Sequence, residues 1–123
     1  MTRILTWMWN MLFPQRMTVF SLDQAISILS IRDSRWRKIR VKHVKENPRC
    51  AVCGSERNLS VHHIVPVHVD RSKELCEDNL ITLCQNSTMN CHFIFGHLLN
   101  WKKSNPNIVE DAKLWSKKLS EAA

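Results

Sequence analysis

The spacing of hydrophobic and polar positions changes along the chain, and each change marks an element. Residues 1–14 (MTRILTWMWNMLFP) are dense in Ile, Leu, Met, Trp and Phe, a run too short to span a bilayer as a helix. This stretch reads as an appendage that docks on the domain or lies at a membrane surface, ahead of a second candidate start at Met17. Ser21-Leu22-Asp23-Gln24 has the form of a capping box, and Leu22, Ala25, Ile26 and Leu29 follow at helical spacing. From Ser34 to Asn47, Trp36, Ile39 and His43 fall on one helical face, with Ser34 or Asp33 as the cap and Asn47-Pro48 as the stop. Short strands are predicted from Asn58 to Val65 and from Leu80 to Cys84, separated by a polar loop through Asp70-Arg71-Ser72. Phe93 to Trp101 reads as a helix that Ser104-Asn105-Pro106-Asn107 breaks. Ile108, Ala112, Trp115 and Leu119 then repeat at i, i+4, i+7 and i+11, which predicts a closing amphipathic helix. The domain organisation expected is an appendage with a short helix (1–30), a central domain (31–103) and a C-terminal helix (104–123) packing on it.

Composition narrows the class. A chain of 123 residues builds one domain with a modest core, and 7% aromatic residues with two glycines argue against a large all-β fold. Five cysteines is an odd number, and no signal-peptide pattern is visible, so a reducing compartment is expected, with cysteines used as metal ligands. The formal charge of +7 favours a polyanionic partner; four thiolates would subtract four and one Zn²⁺ restore two, leaving +5. Eight Lys or Arg lie from Arg32 to Arg49 against two acids, Asp33 and Glu46. Arg35, Lys38, Lys42 and Lys45 share a face of the expected helix and are candidates for phosphate-backbone contacts, which position a protein without reading bases. Firm membrane association is not expected.

Two sets of metal-ligand residues follow. Cys50-x2-Cys53 is a knuckle: a two-residue gap lets both sulfurs turn toward one ion at about 2.3 Å. Cys84 and Cys91 are the second pair chosen, with six polar-biased residues between them; Cys76, which would pair with Cys84 across seven residues, is the competing choice. Neighbouring residues on a strand point to opposite faces, so His62 and His63 cannot both serve one metal. They can flank one reaction centre instead, one binding a cation while the other reaches a water. Cys91-His92 repeats that logic at a helix start, with the cysteine facing the structural zinc and the histidine facing His62.

Together, Cys50-x2-Cys53, His62-His63-Ile64-x-Pro66, Asn79-Leu80-x2-Leu83-Cys84 and Cys91-His92 make the sequence resemble the zinc-stapled branch of the HNH endonuclease family, over roughly residues 35–101. Many members carry Asp where this chain has His62; the double-histidine form also occurs in the family. The resemblance implies an α+β fold: a small ββα-metal core with a four-cysteine zinc knuckle and flanking helices. It implies that His63 is the general base, that His62 and His92 are ligands of a catalytic divalent cation, and that Asn79 braces the hairpin loop and helps to orient the base. His97, five residues past His92, would complete the metal site or contact phosphate. The expected activity is phosphodiester hydrolysis in double-stranded DNA, as endonuclease or nickase, leaving a 5′-phosphate and a 3′-hydroxyl. The cofactors implied are a structural Zn²⁺ and one catalytic ion, Mg²⁺, Mn²⁺, Ni²⁺ or Zn²⁺. A bacterial or phage-infected cytoplasm is the expected location, with a phage terminase or another DNA-processing protein as partner. A non-catalytic zinc-ribbon module that binds nucleic acid is the alternative, and a structural zinc protein docking other proteins through residues 1–14 is a third reading.

Overall fold

The computed structural model describes residues 31–123; the appendage and the capping box expected within residues 1–30 lie outside the described residues. Helix α1 (Trp36–Glu46) occupies the basic stretch. Asp33 sets its start, since its carbonyl accepts the Trp36 N–H and its Oδ1 accepts the Arg35 N–H, both at 2.9 Å. Asn47 ends it by donating its backbone N–H (2.8 Å) and its side-chain Nδ2 (3.1 Å) to the His43 carbonyl. One carbonyl left open by the helix terminus thus gains two donors, and Pro48 follows where the helix cannot continue.

Strands β1 (Leu59–His63) and β2 (Leu80–Cys84) form an antiparallel pair whose register runs from Leu59 opposite Cys84 to His63 opposite Leu80. Side chains alternate across the ribbon. Ser60, His62, Ile81 and Leu83 therefore share one face, and Val61, His63, Leu80 and Thr82 share the other, where the His63 ring meets Trp36 of α1 with centroids 4.4 Å apart. β2 has the limits that its sequence pattern predicts. β1 stops at His63 instead of Val65, because the Val65 backbone is taken by a side chain: Asn79 Oδ1 accepts its N–H at 2.7 Å and Asn79 Nδ2 donates to its carbonyl at 3.0 Å.

The helix expected from Phe93 to Trp101 is corrected. After Cys91 the chain makes a single π-helical turn, His92–Gly96, in which the His97 N–H reaches the His92 carbonyl at 3.1 Å. Asn105 prevents its continuation. The Asn105 N–H takes the Gly96 carbonyl (2.9 Å) and its Nδ2 takes the Phe95 carbonyl (3.0 Å), so these acceptors are closed to residues further along a helix. The chain then passes through Leu98 (φ 53°) and Leu99 (φ 65°), left-handed positions that cost a leucine roughly 1–2 kcal/mol each. The same Asn105 Nδ2 donates to Asp111 Oδ2 at 2.7 Å and so ties the π-turn to helix α2 (Ile108–Ala122). Glu110 and Asp111 lie in the first turn of α2, where negative charge favours the helix dipole.

The α+β chain from Arg32 to Ala123 packs as one unit around a small core of Cys50, Val52, Leu83, Cys84, Cys91, Ile108 and Ala112. Ile108 and Ala112 are the inward residues of the closing helix; Trp115 is half exposed and packs on Phe95 at 5.7 Å. No helix among the described residues is long and apolar enough to cross a membrane. Asn105 is buried and bonds both elements that it joins, so Asn105→Ala is expected to lower stability by about 1–3 kcal/mol, the cost of stranding buried polar groups. A urea midpoint equal to that of the parent would show that Asn105 does not anchor the turn.

Candidate active site

Four sulfurs meet beneath the hairpin. Cys50 and Cys53 come from the turn before β1, Cys84 from the last position of β2 and Cys91 from the residue before the π-turn. The turn closes tightly because the Gly54 N–H reaches the Cys50 carbonyl at 3.0 Å while Gly54 adopts φ 74°, a conformation that glycine takes without a Cβ penalty. All four sulfurs lie within 4.8 Å of one another, and Cys53 Sγ is 3.6 Å from Cys84 Sγ. Sulfurs about 2.3 Å from a tetrahedral zinc stand roughly 3.8 Å apart, a spacing close to that of this set. The six-residue gap between Cys84 and Cys91 is looped out, held by the Cys84 thiol on the Met89 carbonyl at 3.0 Å. Cys76 is exposed and outside the cluster.

The thiol chemistry points the same way. The Cys50 thiol is pushed down to about 4, first by the Cys91 thiol that donates to it, with backbone N–H groups of Cys53, Val52 and Cys84 adding to the effect against burial. Cys91 is pushed up, because that same bond favours its protonated form. A divalent cation relieves the crowding by replacing the shared protons.

Above the sulfurs, on the opposite side of the Cys91-His92 junction, three imidazoles gather. His62, His92 and His97 offer ring nitrogens within 4.8 Å of one another, and their ring centroids lie 4.8–5.1 Å apart. The π-turn makes this possible. In an α-helix, five residues at about 100° each would turn His97 away from His92; the wider i→i+5 turn brings it back, with Nε2 to Nε2 at 3.1 Å. Gly96 is the second device. A Cβ there would stand 3.2 Å from His62 and 3.3 Å from His92, so only glycine leaves both rings in place.

Hydrogen bonds aim these rings. His97 Nδ1 donates to the Lys103 carbonyl at 2.7 Å, which leaves its Nε2 with a lone pair. His92 Nδ1 meets Ser60 Oγ at 3.0 Å and the Gln85 side-chain amide at 2.8 Å. Gln85 Nε2 can only donate, so Nδ1 accepts here and His92 Nε2 carries the hydrogen that meets the His97 Nε2 lone pair. With the Gln85 amide turned to present its oxygen, Nδ1 would carry the hydrogen instead and Nε2 would be free to bind a cation. His62 Nε2 is buried with no hydrogen-bond partner. Burial, then the charges of His92 and His97, pushes His62 down to about 3, and burial, then His97, pushes His92 down to about 4. Both rings are therefore neutral near pH 7, the form that binds metal. An orphaned buried nitrogen among neutral imidazoles fits a cation.

His63 points to the other face. Its Nε2 is 2.9 Å from the Glu74 carbonyl, and a carbonyl can only accept, so Nε2 carries the proton and Nδ1 keeps the lone pair. Burial lowers its pKa and keeps the ring neutral, against the Glu74 carbonyl bond, which favours the charged form. Asn79 is buried at the other end of the same loop: besides its two bonds to Val65, its Nδ2 donates to the Lys73 carbonyl at 3.2 Å. It thus closes the loop that brings Glu74 under His63.

The basic face of α1 is partly neutralised. Arg35 forms a two-pronged pair with Asp33 at 3.0 and 2.9 Å, and Lys42 pairs with Glu77 at 2.8 Å and with Glu46 at 3.8 Å. Lys38 and Lys45 pair with no carboxylate among the described residues. Sequence reasoning missed Glu74, Gly96, Ser60, Gln85 and Trp36 as supports of the histidines. Gly96 alone left a trace, as one of two glycines in the chain and set inside a helical pattern. The others act through backbone atoms or across distant positions, which no local motif records.

Two substitutions probe this geometry. Cys53→Ala is expected to lose about one equivalent of zinc per chain and the cooperative unfolding transition, as small metal-stapled domains do; retained zinc by elemental analysis would rule out the four-sulfur site. Gly96→Ala should keep that zinc and weaken Co²⁺ or Ni²⁺ binding at the histidines by about 10–100-fold, the usual effect of disturbing ligand support. Calorimetric titration giving the parental affinity would show that the rings do not form a site.

Residues 50–93 match the family model of the HNH endonuclease, a span that holds all four clustered cysteines, His62, His63, Asn79 and His92 and stops short of His97 and α1. No curated protein and no solved structure matches the chain. The two-stranded ribbon, the short helical turn after it and the cluster of sulfurs agree with the ββα-metal architecture. Residues 50–93 are thus similar to the HNH endonuclease domain in sequence and in the disposition of their strands, turn and sulfurs.

Proposed function

We propose that this protein is a metal-dependent DNA endonuclease or nickase with His63 as its general base. The observation that carries this reading is the division of the adjacent histidines: His62 joins the three-imidazole cluster, while His63 is fixed through Nε2 with a free lone pair on Nδ1. A purely structural zinc module has no use for that arrangement.

His62, His92 and His97 are the residues that would hold the catalytic cation, and when bound it supplies the positive charge that stabilises a phosphodiester as negative charge builds on the leaving oxygen. The Glu74 carbonyl holds the His63 ring in one tautomer, and the Trp36 ring limits its rotation and its contact with solvent. His63 Nδ1 takes the proton of the attacking water. The water oxygen bonds to phosphorus, the P–O3′ bond breaks, and the 3′ oxygen takes a proton from solvent, leaving a 5′-phosphate and a 3′-hydroxyl. Asn79 acts through the loop: its three side-chain bonds fix the path from β1 to Glu74 and hence the orientation of His63. Imidazole ligands suit Mn²⁺, Ni²⁺ or Zn²⁺ better than Mg²⁺, which prefers oxygen. Lys38 and Lys45 are cations of α1 available to the DNA backbone, and a DNA-packaging or DNA-processing complex is the proposed setting.

His63→Ala is expected to lower plasmid cleavage by about 10²–10⁴-fold, the usual contribution of a general base, while leaving zinc content and DNA binding intact. Nicked and linear plasmid are measured on gels with Mg²⁺, Mn²⁺ or Ni²⁺ added to the zinc-loaded protein. Intact plasmid with all three ions would leave the non-catalytic nucleic-acid-binding module as the better reading, and wild-type rates in His63→Ala would move the base elsewhere.

A further inference from the structure

The loop that follows His97 is built against local preference. Leu98 and Leu99 both occupy left-handed backbone, where glycine or asparagine is usual, and both side chains face solvent, at 47% and 65% exposure. The path is imposed from both sides: the Leu99 N–H bonds the Phe93 carbonyl at 3.0 Å, the Asn100 N–H bonds the His97 carbonyl at 3.0 Å, and His97 Nδ1 bonds the Lys103 carbonyl. The chain therefore holds two bulky apolar side chains outward on a rigid turn, where they bury little. Trp101 lies beside them. Its ring sits 5.3 Å from His92 and 4.8 Å from His97, centroid to centroid, yet the residue is 54% exposed. Lys102 and Lys103, both exposed, follow it directly. Exposed apolar tips, an aromatic face and two cations adjoin the imidazole cluster, where the phosphodiester would lie.

We infer that residues 98–101 form a wedge that unstacks bases beside the scissile phosphate. Leu98 and Leu99 enter a base step, the apolar insertion by which proteins kink duplexes, and Trp101 takes the face of a displaced base. Lys103 supplies charge that favours a polyanion over a second protein copy at this patch. The substrate class is double-stranded DNA that is opened at the cleavage site, and DNA already unpaired there is preferred. This inference rests on the nuclease reading for its geometry, since the histidine cluster places the phosphate next to the loop.

The test uses zinc-loaded full-length protein carrying His63→Ala, so that DNA is bound without being cut, and duplex oligonucleotides with 2-aminopurine at successive positions. Binding should raise fluorescence at one or two adjacent positions. Leu98→Gly with Leu99→Gly removes both side chains while suiting the left-handed backbone, so zinc content and melting temperature should hold; Leu98→Asn with Leu99→Asn serves as a second variant that also tolerates this conformation. Either double variant should abolish the fluorescence rise and weaken binding to paired duplex by about tenfold, the scale of one lost stacking contact, yet bind a duplex with a preformed bubble like its parent. No fluorescence rise with the intact loop, or equal weakening on paired and bubble DNA, overturns the wedge. Loss of self-association in the double variants with unchanged DNA binding also overturns it and assigns the patch to contact between copies. If the protein with His63 intact cuts neither paired nor bubble DNA with any ion while the fluorescence signal stands, the nuclease reading fails and the wedge survives.

Discussion

The four-sulfur cluster is the constraint from which the rest of the structure follows. Of the seven residues in the buried core cluster, three are cysteines of that set, so the core and the sulfur cluster are largely one object. A domain this small buries too little apolar surface to fix several turns by packing alone. One ion held by Cys50, Cys53, Cys84 and Cys91 would join the turn before β1, the end of β2 and the start of the π-turn. That is every segment needed to bring His92 over the strand that carries His62.

His92, His97 and His63 are held by bonds at one side of each ring. His92 leans on Ser60 and Gln85, His97 on the Lys103 carbonyl, and His63 on the Glu74 carbonyl, whose loop Asn79 clamps. Each ring thus has one nitrogen committed to support and the other kept for chemistry. Burial keeps His62, His63 and His92 neutral, the form that metal ligation and proton acceptance require. The π-turn carries a further consequence: the wide turn that returns His97 to the cluster ends at Gly96 and sends the chain out through Leu98 and Leu99. The exposed loop and the third imidazole of the cluster are two results of one backbone decision.

Much of this is legible from residues alone. Cys50-x2-Cys53 and the pair Cys84 and Cys91 read correctly as one cluster, because sulfur ligands have few other uses in a chain with an odd cysteine count. The opposite orientation of His62 and His63 follows from strand geometry, and β2 is bounded by its own apolar run. The Phe93–Trp101 segment misleads because its pattern is helical, while the acceptors that would extend a helix are claimed by Asn105, which reads locally only as a turn residue.

By itself, then, the sequence determined the inventory and its division: four sulfurs in one cluster, histidines on alternate faces of a strand, a basic helix ahead of them. These depend on spacing and side-chain type, which are local. Only the tertiary structure decided how His97 joins His62 and His92, why Gly96 must lack a side chain, and which backbone carbonyl holds His63. Those outcomes turn on atoms from segments distant in sequence competing for the same hydrogen-bond acceptors and the same few cubic ångströms, a competition that no linear pattern encodes.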